Sequence, residues 1–305
     1  MNILIVGLGS IAQKHIQALK RIDSSFVIYA LRSSRNSTNA DGIINVYSLE
    51  ELDGIIIDFA IISNPTSEHK KTIDSLLFLR CPLFIEKPLY YKLDIADILA
   101  KLKKLNILTY TACNLRFFAS LEYIKNEISK NSKRVNEVNV YCGSYLPEWR
   151  KDCDFRKNYS AISALGGGVH VDLIHEFDYL YWVFGMPTNI YSIFRSNSSL
   201  SIDAFDYANY CLDYNFFCAN VVLNYYRRDY KRTFEIVFEN ETWLVDISKN
   251  EITCNGNVIF SSNQKMIDTY FEQMNYFIKL INLKSKDSIN TIFDAYNVLK
   301  ICLKG

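Results

Sequence analysis

Ile3-Leu4-Ile5-Val6-Gly7-Leu8-Gly9-Ser10-Ile11-Ala12 opens the chain after its first two residues. The apolar residues 3–6 predict a short buried strand, and Gly7 ends it. The spacing Gly-x-Gly-x-x-Ala predicts a tight turn directly into a helix. In such a turn the first glycine permits the bend and the second lets an anionic group approach the backbone. The alanine lets helix and strand lie close together. The helix that follows carries Ile11, His15, Ile16 and Leu19 at helical spacing. Its free N-terminal amides and positive dipole end face any bound phosphate. Gly7, Gly9, Ser10 and Ile11 are therefore candidate contacts for the pyrophosphate of a dinucleotide.

Working outward, the first third alternates between strand and helix patterns. Phe26 to Leu31, Ile55 to Ile62, Leu83 to Ile85 and Ile107 to Ala112 read as strands; Glu68 to Leu79 and Asp94 to Leu105 read as helices. This alternation predicts βαβ units and a parallel sheet, an α/β domain over residues 1–115. The pattern then changes. A helix is expected at Leu115 to Lys130 and a strand at Val135 to Gly143. A polar, aromatic loop runs over residues 144–164. Gly166-Gly167-Gly168 opens one helix reaching about Phe184. Five Tyr-, Phe-, Val- and Ile-rich runs follow, at 190–195, 205–212, 217–226, 233–238 and 242–247. Consecutive runs of this kind predict an antiparallel sheet. Helices at Gln264 to Leu283 and Asn290 to Leu303 complete a second, α+β domain over 116–305, whose C-terminal helix is free to pack back on the first domain.

Composition narrows the function. A chain of 305 residues accommodates two domains, and 49% hydrophobic with 22% charged residues is ordinary for a globular protein. Thirty-four basic against 33 acidic residues give a net charge of +1. That balance argues against a nucleic-acid partner and gives no polybasic membrane contact. No run approaches the roughly 18 apolar residues of a membrane span. The first residues lack the basic stretch of a signal peptide, so the cytoplasm is the expected location. Cysteines 81, 113, 142, 153, 211, 218, 254 and 302 show no CxxC pair, and histidines 15, 69, 170 and 175 lie away from them at no metal-ligand spacing. Reduced thiols and no metal are expected.

Further candidates sit where strands end, since loops at the carboxyl ends of parallel strands line a cofactor crevice. The second strand ends in Arg32-Ser33-Ser34-Arg35, with no carboxylate before Asp41. Arg32, Ser33 and Arg35 favour the 2′-phosphate of NADP over NAD, or are solvated loop residues. Ser63-Asn64-Pro65 can contact the dinucleotide or serve as a turn and helix cap before His69, which is itself a candidate cofactor contact or a structural residue of that helix. Glu86-Lys87-Pro88 places a lysine suited to proton transfer with a hydroxyl, with Glu86 to orient it; Glu86 and Lys87 are also candidate cofactor contacts. Asp172, His175 and Glu176, at i, i+3 and i+4, share one face of the expected helix and form a candidate acid/base set.

The ordered set of Gly-x-Gly-x-x-Ala, Ser63-Asn64-Pro65, Glu86-Lys87-Pro88, Asn114-Leu115-Arg116-Phe117 and Gly166-Gly167-Gly168 to Asp172 to His175 resembles the Gfo/Idh/MocA oxidoreductases over nearly the whole chain. The resemblance implies a Rossmann domain followed by an α+β domain with a large, mostly antiparallel open sheet. It implies a sugar or cyclitol substrate bound between domains, and homodimers or homotetramers formed through the sheet. The family lysine falls on Lys87 and the helix aspartate on Asp172. The family histidine position falls on Glu176, one residue beyond His175. The resemblance further implies Asn114 and Arg116 as sugar contacts near the crossover. In the loop, Tyr145, Trp149, Arg150, Arg156, Lys157 and Tyr159 suit a sugar carrying phosphate or carboxylate, or form a subunit contact. Tyr225, Tyr226, Arg227, Arg228, Lys231 and Arg232 form a basic cluster, a solvated edge or a diphosphate contact. The expected activity is NAD(P)-dependent oxidation or reduction of a nucleotide-linked or activated sugar in surface-glycan assembly. The alternatives are catabolic dehydrogenation of a free sugar or inositol, and a non-catalytic sensor. If Arg32 reads the 2′-phosphate, Arg32→Ala narrows the ratio of NADPH to NADH affinity, measured by fluorescence titration of both cofactors.

Overall fold

The apolar run that opens the chain becomes the centre of the first sheet. The computed structural model describes residues 1–35, 41–130, 133–150 and 154–304, so Cys153 lies outside the described residues. The chain divides into two units, the first made of Met1–Asn114 and Met266–Tyr296, the second of Leu115–Lys265 and the residues from Asn297 onward. Residues 266–296 therefore belong to the first unit and not, as the sequence reading had it, to the second.

In the first unit, β1 (Asn2–Val6) leads into α1 (Ser10–Ile22), and β2 (Val27–Leu31), β3 (Ile44–Val46) and β4 (Phe59–Ile62) follow. Then come α2 (His69–Leu76), β5 (Leu83–Glu86), α3 (Ala96–Leu105) and β6 (Thr109–Ala112). The strands form one parallel sheet in the order β3-β2-β1-β4-β5-β6. This is the doubly wound order that carries a dinucleotide at its switch point, between the first and fourth strands. Every residue of β4, β5 and β6 is buried, which explains why these strands read as unbroken apolar runs without alternation. The short β3 escaped the sequence reading because three residues hold too little pattern.

The second unit holds α4 (Ala119–Ser129), β7 (Val135–Tyr145), α5 (Val169–Asp172) and α6 (His175–Phe184). The strands β8 (Asn189–Arg195), β9 (Tyr207–Asp213), β10 (Cys218–Asn224), β11 (Tyr226–Phe238), β12 (Thr242–Asp246), β13 (Glu251–Cys254) and β14 (Asn257–Ser261) complete it. Eight strands pair as β14-β13-β12-β11-β7-β10-β9-β8. All neighbours are antiparallel except β7 and β10. Strand β9 alternates strictly between buried and half-exposed residues, the signature of a sheet with one covered face. The hairpin β13–β14 was missed in the sequence. Its Asn255-Gly256 turn has φ of 47° and 85°, the two positive values that a two-residue hairpin requires. The last helices are α7 (Asp268–Asn282), which packs on α1 in the first unit, and α8 (Ile292–Leu303).

The triple glycine does not open one long helix. Gly166 and Gly168 adopt φ of 80° and 135°, and the chain makes one helical turn, α5, before Leu173 breaks it and α6 begins at His175. Gly167 is held by crowding: a Cβ there would lie 2.1 Å from the Tyr159 carbonyl oxygen. Gly167→Ala is therefore expected to destabilise the protein by about 3 kcal/mol or more, since backbone must move to admit the methyl group. Gly54→Ala, where φ is 80° but no atom of the described residues lies within 4 Å, should cost only about 1 kcal/mol. Urea unfolding of the two variants measures the difference.

Candidate active site

The first unit builds a dinucleotide turn from the carboxyl ends of β1, β4 and β5. Gly7 has φ of 87°, and a Cβ on it would lie 2.6 Å from the Asn64 Cα. The loop after β4 can approach only because Gly7 has no side chain. Ser63 closes the contact by donating its hydroxyl to the Gly7 carbonyl oxygen at 2.8 Å. Gly9 is different: no atom of the described residues lies within 4 Å of where its Cβ would be. The N-terminus of α1 behind it has no side-chain cap. Room at Gly9 together with an uncapped helix N-terminus fits the pyrophosphate of a dinucleotide, which Gly9, Ser10 and Ile11 would hold. Asn64 donates its amide to Thr72 Oγ1 at 2.7 Å. Its buried Oδ1 has no hydrogen-bond partner among the described residues, so a donor is wanted beside this turn. Pro65 and Ser33 are exposed.

At the end of β2, Arg32 donates Nη1 to Asn45 Oδ1 at 3.3 Å. Arg35 lies over the Tyr47 ring, 4.9 Å from its centre, and 4.0 Å from Glu51. His69 is buried, with Nδ1 3.1 Å from the Leu89 carbonyl oxygen and Nε2 3.1 Å from that of Asn64. Burial lowers its pKa from the usual imidazole value. It fastens the Asn64 loop to the segment after Lys87 and presents no ring nitrogen to a cofactor, which corrects its reading as a contact.

Glu86 ends β5 and is buried. Its Oε1 lies 2.6 Å from His15 Nε2, and its Oε2 accepts the Lys87 backbone N–H at 3.1 Å. The carboxylate thus ties α1 to the residue that precedes Pro88, and it too is a positioning group where a cofactor contact was expected. Lys87 itself is half-buried, and its peptide bond to Pro88 is cis. The sequence reading placed His15 only as a helix residue. The signal was a histidine among apolar neighbours on the helix face turned to the sheet.

Asn114 also changes role. Its amide donates to Thr269 Oγ1 at 2.7 Å inside the first unit, where it holds the first turn of α7 and is 5% exposed, so it is not a sugar contact.

In the second unit, Asp172 is buried at the end of α5 and accepts the Tyr225 hydroxyl at 2.5 Å. Burial and the Asp172 charge raise the Tyr225 pKa, and burial followed by Asp172 does the same for Tyr159. Both phenols therefore stay protonated as donors. Trp149 meets the Tyr225 ring edge-on at 5.4 Å and donates its indole N–H to Ser144 Oγ at 3.0 Å. Arg150 lies 5.9 Å from the Tyr159 ring centre. The loop thus converges on Asp172, and Tyr225, read only as part of a basic cluster, is its donor. His175 is half-buried at the start of α6.

Two candidates prove to be buried ion pairs. Glu176 is fully buried and binds Arg232 through Nε at 2.7 Å and Nη2 at 3.0 Å. It does not share a helix face with Asp172, because Leu173 interrupts the helix between them, so the acid/base set loses Glu176. Arg116, 2% exposed, grips Asp178 through Nε at 3.0 Å and Nη2 at 2.7 Å, and is unavailable to a sugar. His170 is likewise structural: it meets Phe194 and Phe205 edge-on, and burial lowers its pKa to about 4.

Breaking one partner of a buried pair leaves the other charge without compensation. His15→Ala leaves the buried Glu86 carboxyl without that hydrogen-bond partner and should cost about 2 kcal/mol in stability, and His15→Gln, which restores a donor to Glu86, should recover part of it. Denaturant unfolding of both variants measures this.

Residues 1–111 match the Gfo/Idh/MocA family, an oxidoreductase family with an NAD-binding Rossmann fold. Myo-inositol 2-dehydrogenase of Thermotoga maritima is 23% identical over 194 residues, 61% of this chain and 55% of that protein. The chain thus matches about half the length of that relative. Among solved structures, UDP-N-acetylglucosamine 3-dehydrogenase GnnA from Acidithiobacillus ferrooxidans superposes with a TM-score of 0.79 at 16% identity, over 100% of this chain and 96% of that one. The WlbA dehydrogenase from Bordetella pertussis, in complex with NADH and UDP-GlcNAcA, gives a TM-score of 0.81 at 16% identity over 99% and 93%. Likeness at such identities is a likeness of fold. By the motif order and the match of residues 1–111, the first unit carries the NAD-binding Rossmann fold of the Gfo/Idh/MocA oxidoreductases, and the rest of the chain is similar to such enzymes in fold.

Proposed function

We propose that this protein is an NAD(P)-dependent oxidoreductase acting on a carbinol or carbonyl carbon of a nucleotide-linked or activated sugar, in the cytoplasm, in surface-glycan assembly. The observation that carries the reading is Lys87. It follows a parallel strand whose last carboxylate is held by His15, in the sheet that also carries the glycine turn with room at Gly9. When bound, the nicotinamide supplies or accepts the hydride. Gly9, Ser10 and Ile11 hold the pyrophosphate, and Asn64 lies beside it. Lys87 carries the proton of the substrate hydroxyl, since an amine fixed at one place can donate and accept there. Asp172, kept in place by the Tyr225 hydroxyl, accepts a sugar hydroxyl. His175, at the adjoining helix start, is the second candidate for proton transfer. Trp149, Arg150 and Tyr159 bind the sugar. Arg32, Ser33 and Arg35, with no carboxylate among them, favour NADP over NAD. The exposed sheet face, with Tyr191 and Ile193 outward, is where copies of the chain associate as dimers or tetramers.

A second reading, dehydrogenation of free inositol or a free sugar, is favoured by the Thermotoga maritima relative. Absorbance of the reduced nicotinamide, followed with nucleotide-linked sugars and with inositol and free sugars, separates the two. Lys87→Met should lower turnover by about 100-fold or more and leave dinucleotide affinity within a few-fold. Unchanged turnover in that variant contradicts the role of Lys87, and turnover confined to inositol favours the second reading.

A further inference from the structure

The pairing of β7 with β11 is broken at one place. Tyr226 stands opposite Tyr145 and Lys231 opposite Gly143, so residues 227–230 face Ser144 alone. A bulge of this kind re-aims side chains and interrupts the ladder. Beside it lies a cavity of about 340 Å³ whose wall includes Trp149, Leu173, Arg228, Tyr230 and Arg232. Leu173 follows Asp172 directly, and Trp149 touches Tyr225, the donor to Asp172. The cavity therefore adjoins the carboxylate assigned above to the sugar.

Its chemistry is specific. Arg232 is held rigidly because Nε and Nη2 are committed to the buried Glu176, which leaves Nη1 outside that pair. Arg228 stands on the bulge, exposed, with its guanidinium 4.2 Å from the Tyr145 ring centre and Nη2 donating to the Tyr145 hydroxyl at 3.0 Å. It makes no ion pair among the described residues. The neighbouring Arg227 differs, since it binds Asp229. Trp149 offers an aromatic face whose orientation is fixed by its bond to Ser144. Glu148 also lines the cavity and offers an acceptor for hydroxyls. Aromatic faces, a hydroxyl acceptor and two oriented guanidinium groups together suit a sugar ring that bears an anion.

We infer that this cavity is a subsite for a carboxylate or phosphate on the substrate sugar, with Arg228 as its specificity-determining contact and Arg232 as the preset second donor. The inference rests on the proposed sugar oxidoreductase reading. Calorimetric titration of wild type and Arg228→Ala with four ligands tests it by binding alone: UDP-glucuronate, UDP-glucose, glucose 1-phosphate and glucose. If the sugar carboxylate fills the subsite, UDP-glucuronate binds about tenfold tighter than UDP-glucose, and Arg228→Ala removes that margin. If phosphate fills it, the variant weakens both UDP sugars and glucose 1-phosphate alike and leaves glucose unchanged, which also supports the subsite. Equal losses for all four ligands, no change in any, or no binding by any of them overturns it. Arg228→Lys should restore part of the affinity. Turnover assays on the same samples separate the two levels. An Arg228-dependent preference without turnover on any sugar sinks the oxidoreductase reading alone. Turnover that ignores both the anion and Arg228 sinks the subsite alone.

Discussion

At Gly7 there is no room for a Cβ, and the first unit is arranged around that fact. The Asn64 backbone occupies the space, 2.6 Å from where the atom would lie, and Ser63 bonds back across the gap. The carboxyl ends of β1 and β4 are thereby drawn together at the sheet's switch point. Helix α1, launched from the same turn, is then fastened to β5 through His15 and Glu86. The turn, the Asn64 loop and Lys87 are consequently set by one continuous series of close contacts. Gly9, two residues on, is the opposite case, with no atom of the described residues within 4 Å of its Cβ position.

The second unit solves a different problem, which is how to keep charges inside an apolar layer. Buried ions persist when paired and hydrogen-bonded. Arg116 with Asp178, and Glu176 with Arg232, both meet that condition through paired contacts. Asp172 is treated otherwise. It takes a phenolic hydroxyl from Tyr225, a neutral donor that orients a carboxylate without cancelling its charge. Glu176 is thereby committed to an arginine, whereas Asp172 is the carboxylate that the proposed function assigns to the sugar.

The sequence made some of this visible and hid the rest for definite reasons. The alternation of apolar runs and helical patterns in the first third is local, so the parallel sheet could be read directly, and the turn at residues 7–12 gave its function. The Asn255-Gly256 hairpin was equally local and was passed over. Partnerships were beyond reach: His15 meets Glu86 at a separation of 71 residues, and Arg116 meets Asp178 at 62. No pattern in either neighbourhood announces the other. Arg116, Asn114 and Glu176 look like ligand contacts when read singly and become structural once their partners are known. The break at Leu173, between α5 and α6, is likewise not reported by the helical periodicity over 169–184.

Retention of label provides the most direct measurement of the central claim. The wild-type protein is incubated with reduced NADP deuterated at the transferable C4 position, or with the equivalent NADH, and with keto-sugar nucleotides. The sugar product is then analysed by mass spectrometry and NMR. The account predicts one deuterium bound to carbon at the reduced carbinol and none exchanged from solvent at that position. A product whose new C–H hydrogen comes from water, or no labelled sugar while the dinucleotide binds tightly, contradicts it.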